Sequence, residues 1–180
     1  MLRRFSALVL PVVLAVSALS CLSQSTASQK PSTIITASEA GSILPPSVFF
    51  RGQSASVQAR NSAGIRLSKD SLLLVALVDA SGYSSSIQQK YQAYLITEST
   101  VEIGGHRLAP GAYGCGFIAE DTFLVMDIGG HDLFTTKSTR DADLHRPMPL
   151  QILQASTAGK YRLYAGRNFV EISPTPSASQ

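Results

Sequence analysis

Between residues 45 and 173 the chain consists of short apolar runs separated by Gly, Asn, Asp and Ser. Residues 54–60 show the pattern clearly, because Ala55, Val57 and Ala59 alternate with polar side chains. A period of two puts alternate side chains on opposite faces of a β-strand. The runs recur about every ten residues, and this spacing is typical of an all-β domain.

We expect an all-β fold over residues 45–173: a single antiparallel β-sandwich, or a partly open barrel, of about eight or nine short strands. Residues 72–79 (LLLVALVD) are apolar on both faces, which indicates a central strand. Residues 61–64 (NSAG) predict a turn. In residues 85–97 the apolar and aromatic residues stand partly at helical and partly at alternating spacings. This predicts a short helix near residues 85–90 and then a strand over residues 91–97.

The first 27 residues have the layout of a secretory signal peptide. Arg3 and Arg4 precede an apolar run over residues 5–19, and small polar residues follow. The run is shorter than the roughly 20 apolar residues that a membrane-spanning helix needs, and Pro11 interrupts it. We therefore predict a signal peptide at residues 1–27 and an exported protein, either periplasmic or extracellular.

Two processing routes remain open for this segment. Small residues before and at Ala27 suit cleavage by signal peptidase. Residues 18–21 (ALSC) resemble a bacterial lipobox, although the Leu stands one position nearer to Cys21 than is usual. If Cys21 is lipidated, its acyl chains would anchor the protein to a membrane surface, and we expect no other contact with a membrane.

The segments that flank the domain differ from it in composition. Ser, Thr and Ala dominate residues 28–44 without a sustained period, so we expect a tether there, with a first short strand around residues 33–36. Residues 174–180 are rich in Pro and Ser, which predicts a disordered tail.

The charge balance argues against nucleic acid as a partner. The formal net charge is +3, from 15 Lys and Arg against 12 Asp and Glu, and Arg3 and Arg4 would leave with the signal peptide. The remaining chain has no basic cluster that could release counterions from a phosphate backbone. A protein or a glycan of the cell envelope stays open as a partner, and no cofactor is expected.

The stretch GAYGCGF, residues 111–117, places a cysteine in an alternating pattern. Tyr113, Cys115 and Phe117 would lie on one side of a strand, with Gly and Ala on the other. A side made of Gly and Ala is nearly flat, so another backbone or a large aromatic ring can approach it closely. No cation or His stands nearby to lower the pKa of the thiol, so we expect a core residue; a reactive thiol and an intermolecular disulfide are the alternatives.

The segment VEIGGHRLAPGAYGCGFI, residues 101–118, resembles a pattern in uncharacterised bacterial secreted and envelope proteins. That pattern joins a strand, the motif G-x-x-L-x-P/A-G-x-Y-x and a second strand, and here Gly105, Leu108, Gly111 and Tyr113 match it. The resemblance implies a β-sandwich of unknown function in which Leu108 fills the core beneath a turn. It implies no catalytic residues.

Histidines and nearby carboxylates are the candidates for chemistry. His106, Asp127, His131 and Asp132 are of the residue types that bind Zn²⁺. No two histidines stand at a ligand spacing such as H-x-H or H-x-x-x-H, so we predict no metal site and keep these four residues as candidates only. The sequence has neither a G-x-S-x-G nucleophile motif nor a phosphate-binding loop.

Two hypotheses for the function follow. The first is a non-enzymatic envelope domain that binds a partner or has a structural role. Six tyrosines without any tryptophan fit this hypothesis either as core residues or as a recognition surface for a peptide or a sugar. The alternative is a periplasmic hydrolase, metal-dependent or acting by acid–base catalysis, that uses the His and Asp residues of the loops.

Overall fold

The structure is a computed structural model that describes residues 32–119 and 121–175. The predicted signal peptide at residues 1–27, with Cys21, lies outside the described residues, as do residues 176–180 of the predicted tail. The elements are, in chain order, β1 (Thr33–Ile35), α1 (Ala37–Ile43), β2 (Ser47–Phe50), β3 (Gln53–Ser68), β4 (Ser71–Asp79), α2 (Ser85–Gln88), β5 (Ala93–Thr97), β6 (Val101–Ile103), β7 (His106–Leu108), β8 (Gly111–Ile118), β9 (Thr122–Met126), β10 (Asp132–Lys137), β11 (Thr139–Arg140), β12 (Gln151–Gln154), β13 (Tyr161–Ala165) and β14 (Asn168–Pro174).

The strands form two antiparallel sheets, and neither sheet closes on itself, so the prediction of a mostly β fold is confirmed. The larger sheet has the order β1-β3-β4-β5-β8-β9-β10, with β2 also paired to β3. The smaller sheet has the order β12-β13-β14-β6-β7, with β11 also paired to β14. The described residues contain 14 strands, more than the eight or nine expected, because strands of two to four residues such as β7 and β11 are too short to show a period.

The two sheets share one apolar core. Leu73, Leu95 and Cys115 of the larger sheet pack in the same buried cluster as Ile103 and Leu163 of the smaller sheet. Strand β4 lies between β3 and β5, which confirms the prediction of a central strand over residues 72–79.

The other face of the larger sheet is covered by local segments of the chain. Helix α1 buries Ala40 against Leu74 of β4. Beside it, Phe50 at the end of β2 and Tyr91, which follows α2, pack against Met126 of β9. The middle of the larger sheet is therefore buried on both faces. Neither helix in the described part of the chain is long and apolar enough to span a membrane.

The expected tether over residues 28–44 needs correction where the structure describes it, because β1 and α1 belong to the fold. Thr36 caps the helix: the Glu39 backbone N–H donates to Thr36 Oγ1, and Thr36 N–H donates to Glu39 Oε2. This reciprocal arrangement is a capping box, and its sequence, TASE, was hidden in a Ser/Thr-rich composition. The sheet also extends further than expected at the other end of the chain, where Pro174 pairs with Val101.

The turn predicted at residues 61–64 is wrong, because β3 continues through them without reversing. The register with β4 shifts between Val57 and Ser62, which marks a β-bulge. The buried Ser62 hydroxyl donates to the carbonyl oxygens of Ala37 at 3.0 Å and Ala59 at 2.6 Å. The short helix and the following strand that we predicted over residues 85–97 are confirmed by α2 and β5.

The flat side of β8 is used as its sequence predicts. A Cβ atom on Gly114 would lie 2.5 Å from the Phe50 ring, which is itself stacked on Tyr91 with 3.8 Å between ring centroids. A Cβ atom on Gly116 would clash with the carbonyl oxygen of Lys90. The segment after α2 can therefore rest on the sheet only because both positions lack a side chain.

We predict that Gly116→Ala lowers the free energy of unfolding by about 1–3 kcal/mol, because the new methyl group would push a backbone segment away from the sheet. Urea denaturation followed by tyrosine fluorescence measures this change. Gly82→Ala is the matched control, since a Cβ atom there meets nothing within 4 Å and the change should stay below about 1 kcal/mol. Equal losses in the two variants would contradict the close approach at Gly116.

Candidate functional site

The four candidate residues all lie on or against the hairpin formed by β9 and β10. Asp127 follows β9, His131 precedes β10, and Asp132 is the first residue of β10. His106 begins β7 of the other sheet, and its ring stacks on Phe134 of β10 with 4.6 Å between centroids and an angle of 11° between planes. This hairpin is therefore the candidate site.

Asp127 and His131 form a closed pair across the turn. Asp127 Oδ1 accepts a hydrogen bond from the His131 backbone N–H at 2.9 Å, and Oδ2 lies 2.9 Å from His131 Nδ1. These bonds, the backbone bond first, hold the pKa of the Asp127 carboxyl below its ordinary value of 3.8. The pair keeps the turn compact while the imidazole ring stays largely exposed.

Asp132 and His106 have other contacts. Lys90, in the segment after α2, donates from Nζ to Asp132 Oδ2 at 2.7 Å, so this segment is linked to the first residue of β10. On the opposite face of β10, Thr136 Oγ1 donates to the carbonyl oxygen of Gly104 at 3.0 Å, beside the His106 ring. Each of the two faces of β10 is thereby fixed to a different neighbour.

The structure brings together only two of the four candidates. Across residues 32–119 and 121–175, no three His, Cys, Asp or Glu side chains are grouped to hold a metal ion. Asp127 and His131 form a pair, whereas Asp132 and His106 are engaged with Lys90 and Phe134. A carboxylate beside an imidazole can position that ring as a base, which is the one catalytic arrangement this hairpin offers.

The most accessible feature of the hairpin is the outer edge of β10. This strand pairs on one side with β9, and the described strands include none on its other side. Its six residues make it longer than β1, β7 and β12, which form the other ends of the two sheets. An outermost strand offers a row of backbone N–H and C=O groups to another chain.

Apolar side chains are exposed near this edge. Leu133 of β10 is 47% exposed, and Ile128 in the turn is 56% exposed. The carbonyl oxygen of Ile128 accepts a hydrogen bond from the backbone N–H of Arg51, at the tip of the hairpin formed by β2 and β3. Phe49, two residues before Arg51, is 71% exposed and is the most exposed large apolar residue of the described chain. Exposed apolar side chains beside a free sheet edge, such as Leu133 and Ile128 here, are typical of an interaction surface.

A depression lies on the smaller sheet, beside the loop over residues 141–146. The Tyr164 hydroxyl donates to Asp141 Oδ2 at 2.9 Å, and Arg167 donates to the carbonyl oxygens of Ala142 and Leu144 at 2.8 Å each. These polar groups hold the loop in place. The depression is open and shallow. The hydrogen bonds of its polar side chains position the loop and give no indication of a ligand.

Cys115 is a core residue, as the alternating pattern predicted. It is 1% exposed and packs between β5 and β9 in the main core. Burial raises the pKa of its thiol to about 12, because the thiolate would be separated from water. A thiol with this pKa is not a nucleophile at neutral pH.

The free edge of β10 escaped the sequence analysis. Strand β10 lies inside the β domain that we expected over residues 45–173, but an alternating pattern does not tell which strand of a sheet is outermost. Leu133 and Ile128 are apolar residues, so the local sequence gave no sign that they are exposed.

Searches against protein-family models, curated proteins and solved structures find no match to this chain.

We predict that Asp127→Asn destabilises the protein at pH 7. The depressed pKa means that the Asp127 carboxylate contributes stability above its ordinary pKa, and that this contribution is lost as the pH falls through the lowered value. Thermal unfolding of the two proteins should therefore differ at about pH 5–8 and converge once the pH falls well below the ordinary pKa of an Asp carboxyl. Asp70→Asn, in the exposed turn between β3 and β4, is the control. A difference in unfolding temperature that is independent of pH would contradict this role for the Asp127 carboxylate.

For Cys115 we predict a thiol that is masked until the protein unfolds. In a Cys21→Ala variant, Cys115 is the one cysteine left, and its reaction with a chromogenic disulfide reagent at pH 8 should be about a thousandfold slower than in urea. Stopped-flow absorbance gives both rates. Labelling of the native protein as fast as that of a free thiol would show that Cys115 is accessible.

Proposed function

We propose that this chain is an exported, non-enzymatic β-sandwich domain of the cell envelope that binds a protein partner through the free edge of β10. The core that the two open sheets share supports the sandwich arrangement. The predicted signal peptide at residues 1–27 supports export, and the resemblance of residues 101–118 to secreted and envelope proteins agrees with it. Lipidation at Cys21 would add an anchor to the membrane surface.

One observation carries the binding proposal: other segments contact β10 on both faces, while no described strand pairs with its outer edge. Lys90 fixes the face toward α2, and the Gly104 carbonyl oxygen with the His106 ring fixes the face toward the smaller sheet. A strand that is already ordered loses little conformational entropy when a partner pairs with it. Edge pairing of this kind is a common way for proteins to recognise extended segments.

The Asp127–His131 pair favours a second candidate function, a periplasmic hydrolase that acts by acid–base catalysis or with a metal. The exposed imidazole ring, with a carboxylate 2.9 Å from Nδ1, could accept a proton from a substrate through its other nitrogen. Elemental analysis of protein purified without chelator tests the metal-dependent form. Stoichiometric zinc that disappears in Asp127→Asn would favour the hydrolase over the binding domain.

We predict that a photo-crosslinking amino acid placed at Thr135, in the middle of β10, forms a defined adduct in living cells. Thr157, exposed in the turn between β12 and β13, is the matched control position and should give no such adduct. Immunoblotting and mass spectrometry of the envelope fraction identify the adducts. Identical patterns at the two positions would refute the edge as the binding surface, and full-length protein retained in the cytoplasm would refute export.

A further inference from the structure

The two faces of β10 can be assigned from its pairing with β9. Phe134 and Thr136 lie opposite Val125 and Phe123, whose side chains are in the core between the two sheets. Thr135 lies opposite Leu124, on the face toward α2. Residues that lie opposite each other in an antiparallel pair share a face, so Phe134 and Thr136 point inward and Thr135 points outward.

A bulge changes this alternation at the start of β10. The register with β9 shifts between Asp132 and Phe134, so that Leu133 is the extra residue and Asp132 lies opposite Met126. Met126 belongs to the cluster on the face toward α2, so Asp132 also lies on the outward face. Lys137, two residues after Thr135, lies on this face as well.

We propose that β10 pairs with β10 of a second copy of this chain, antiparallel and about a two-fold axis through Thr135. The inference rests on the proposed function and names its partner. A two-fold axis at this position sets Thr135 opposite Thr135 and Phe134 opposite Thr136 of the other copy. Both pairings match outward residues with outward ones and inward residues with inward ones, as a continuous antiparallel sheet requires.

Charge complementarity selects a second copy over another occupant. Because Leu133 is the extra residue, the next outward pair on either side of the axis is Asp132 with Lys137 of the other copy. The symmetry makes this ion pair twice. Without the bulge the bulky Leu133 would lie opposite Lys137, so the irregularity itself aligns the opposite charges.

The centre of the strand has no charge that would prevent this pairing. Edge strands that avoid association carry Lys or other charges along their length. In β10 the charges stand only at the ends, at Asp132 and Lys137, and the residues between them are Leu, Phe, Thr and Thr. The exposed Leu133 lies beside the new strand pair, where a second copy would cover it.

Cross-linking tests the position of the axis. Thr135→Cys, in a Cys21→Ala background, places two thiols opposite each other with about 5 Å between Cβ atoms. A bifunctional thiol reagent of that length should convert most of the protein to a covalent dimer at micromolar concentration. Thr157→Cys in the same background is the control and should stay monomeric on denaturing gels. Equal yields from the two variants would overturn the proposal.

Charge reversal tests the register. Lys137→Glu should weaken the dimer at least about tenfold in sedimentation equilibrium, because each like-charge pair that it creates is repeated by the symmetry. The triple variant Asp132→Lys, Lys137→Glu, Lys90→Glu exchanges every charge and keeps the pair between residues 90 and 132, so it should restore the dissociation constant. Lys69→Glu, in the exposed turn after β3, makes the same change in net charge and should have no effect.

The outcomes separate this inference from the proposed function. An adduct of two copies at Thr135 in cells, with a sedimenting dimer that Lys137→Glu dissociates, supports both. A dimer that Lys137→Glu and Lys69→Glu weaken equally overturns the paired register. An adduct at Thr135 with a different protein, together with a monomer in sedimentation, overturns the second copy as partner and leaves edge binding standing. No adduct at Thr135 overturns both.

Discussion

Strands β4, β5, β8 and β9 form the middle of the larger sheet, which is buried on both faces, and other described segments of the chain cover it. Apolar surface left in water costs about 25 cal/mol per Å², so neither face can stay open. The smaller sheet covers one face. On the other face, the described residues form no further sheet, and α1, β2 and the segment around Tyr91 cover it instead. Gly114 and Gly116 allow the last of these to lie directly on the backbone of β8.

The segments that cover this face of the larger sheet end at its rim. The ionisable candidate residues lie at this rim. Lys90 links one covering segment to Asp132, and Asp127 holds the adjoining turn through His131. These side chains are therefore occupied with contacts that stabilise the hairpin. Among the described strands, none pairs with the outer edge of β10, and the proposed binding role rests on this edge. If the edge pairs with its own copy, the larger sheet continues across the two-fold axis and the exposed Leu133 is covered.

Sequence periodicity predicted the parts of the fold that local patterns control. It identified β4, β8 and the helix-to-strand passage into β5, because those segments are long enough to show which side chains are buried. It failed at residues 61–64, since Asn and Gly mark bulges as well as turns. It failed again at α1, where a capping box lay in a segment that composition alone assigned to a tether. Sequence periodicity could not detect strands of two or three residues, because a repeating pattern needs more positions than these strands have.

By itself, the sequence indicated that the chain folds as short antiparallel strands and that Cys115 lies on an apolar face of one of them, since alternation is a local property of a strand. It also identified the four ionisable residues of interest. Only the tertiary structure decided that Asp127 and His131 pair, that Asp132 and His106 contact other residues, and that β10 is outermost among the described strands. Strand order and sheet edges arise from contacts between residues far apart in the chain, and no local pattern encodes them.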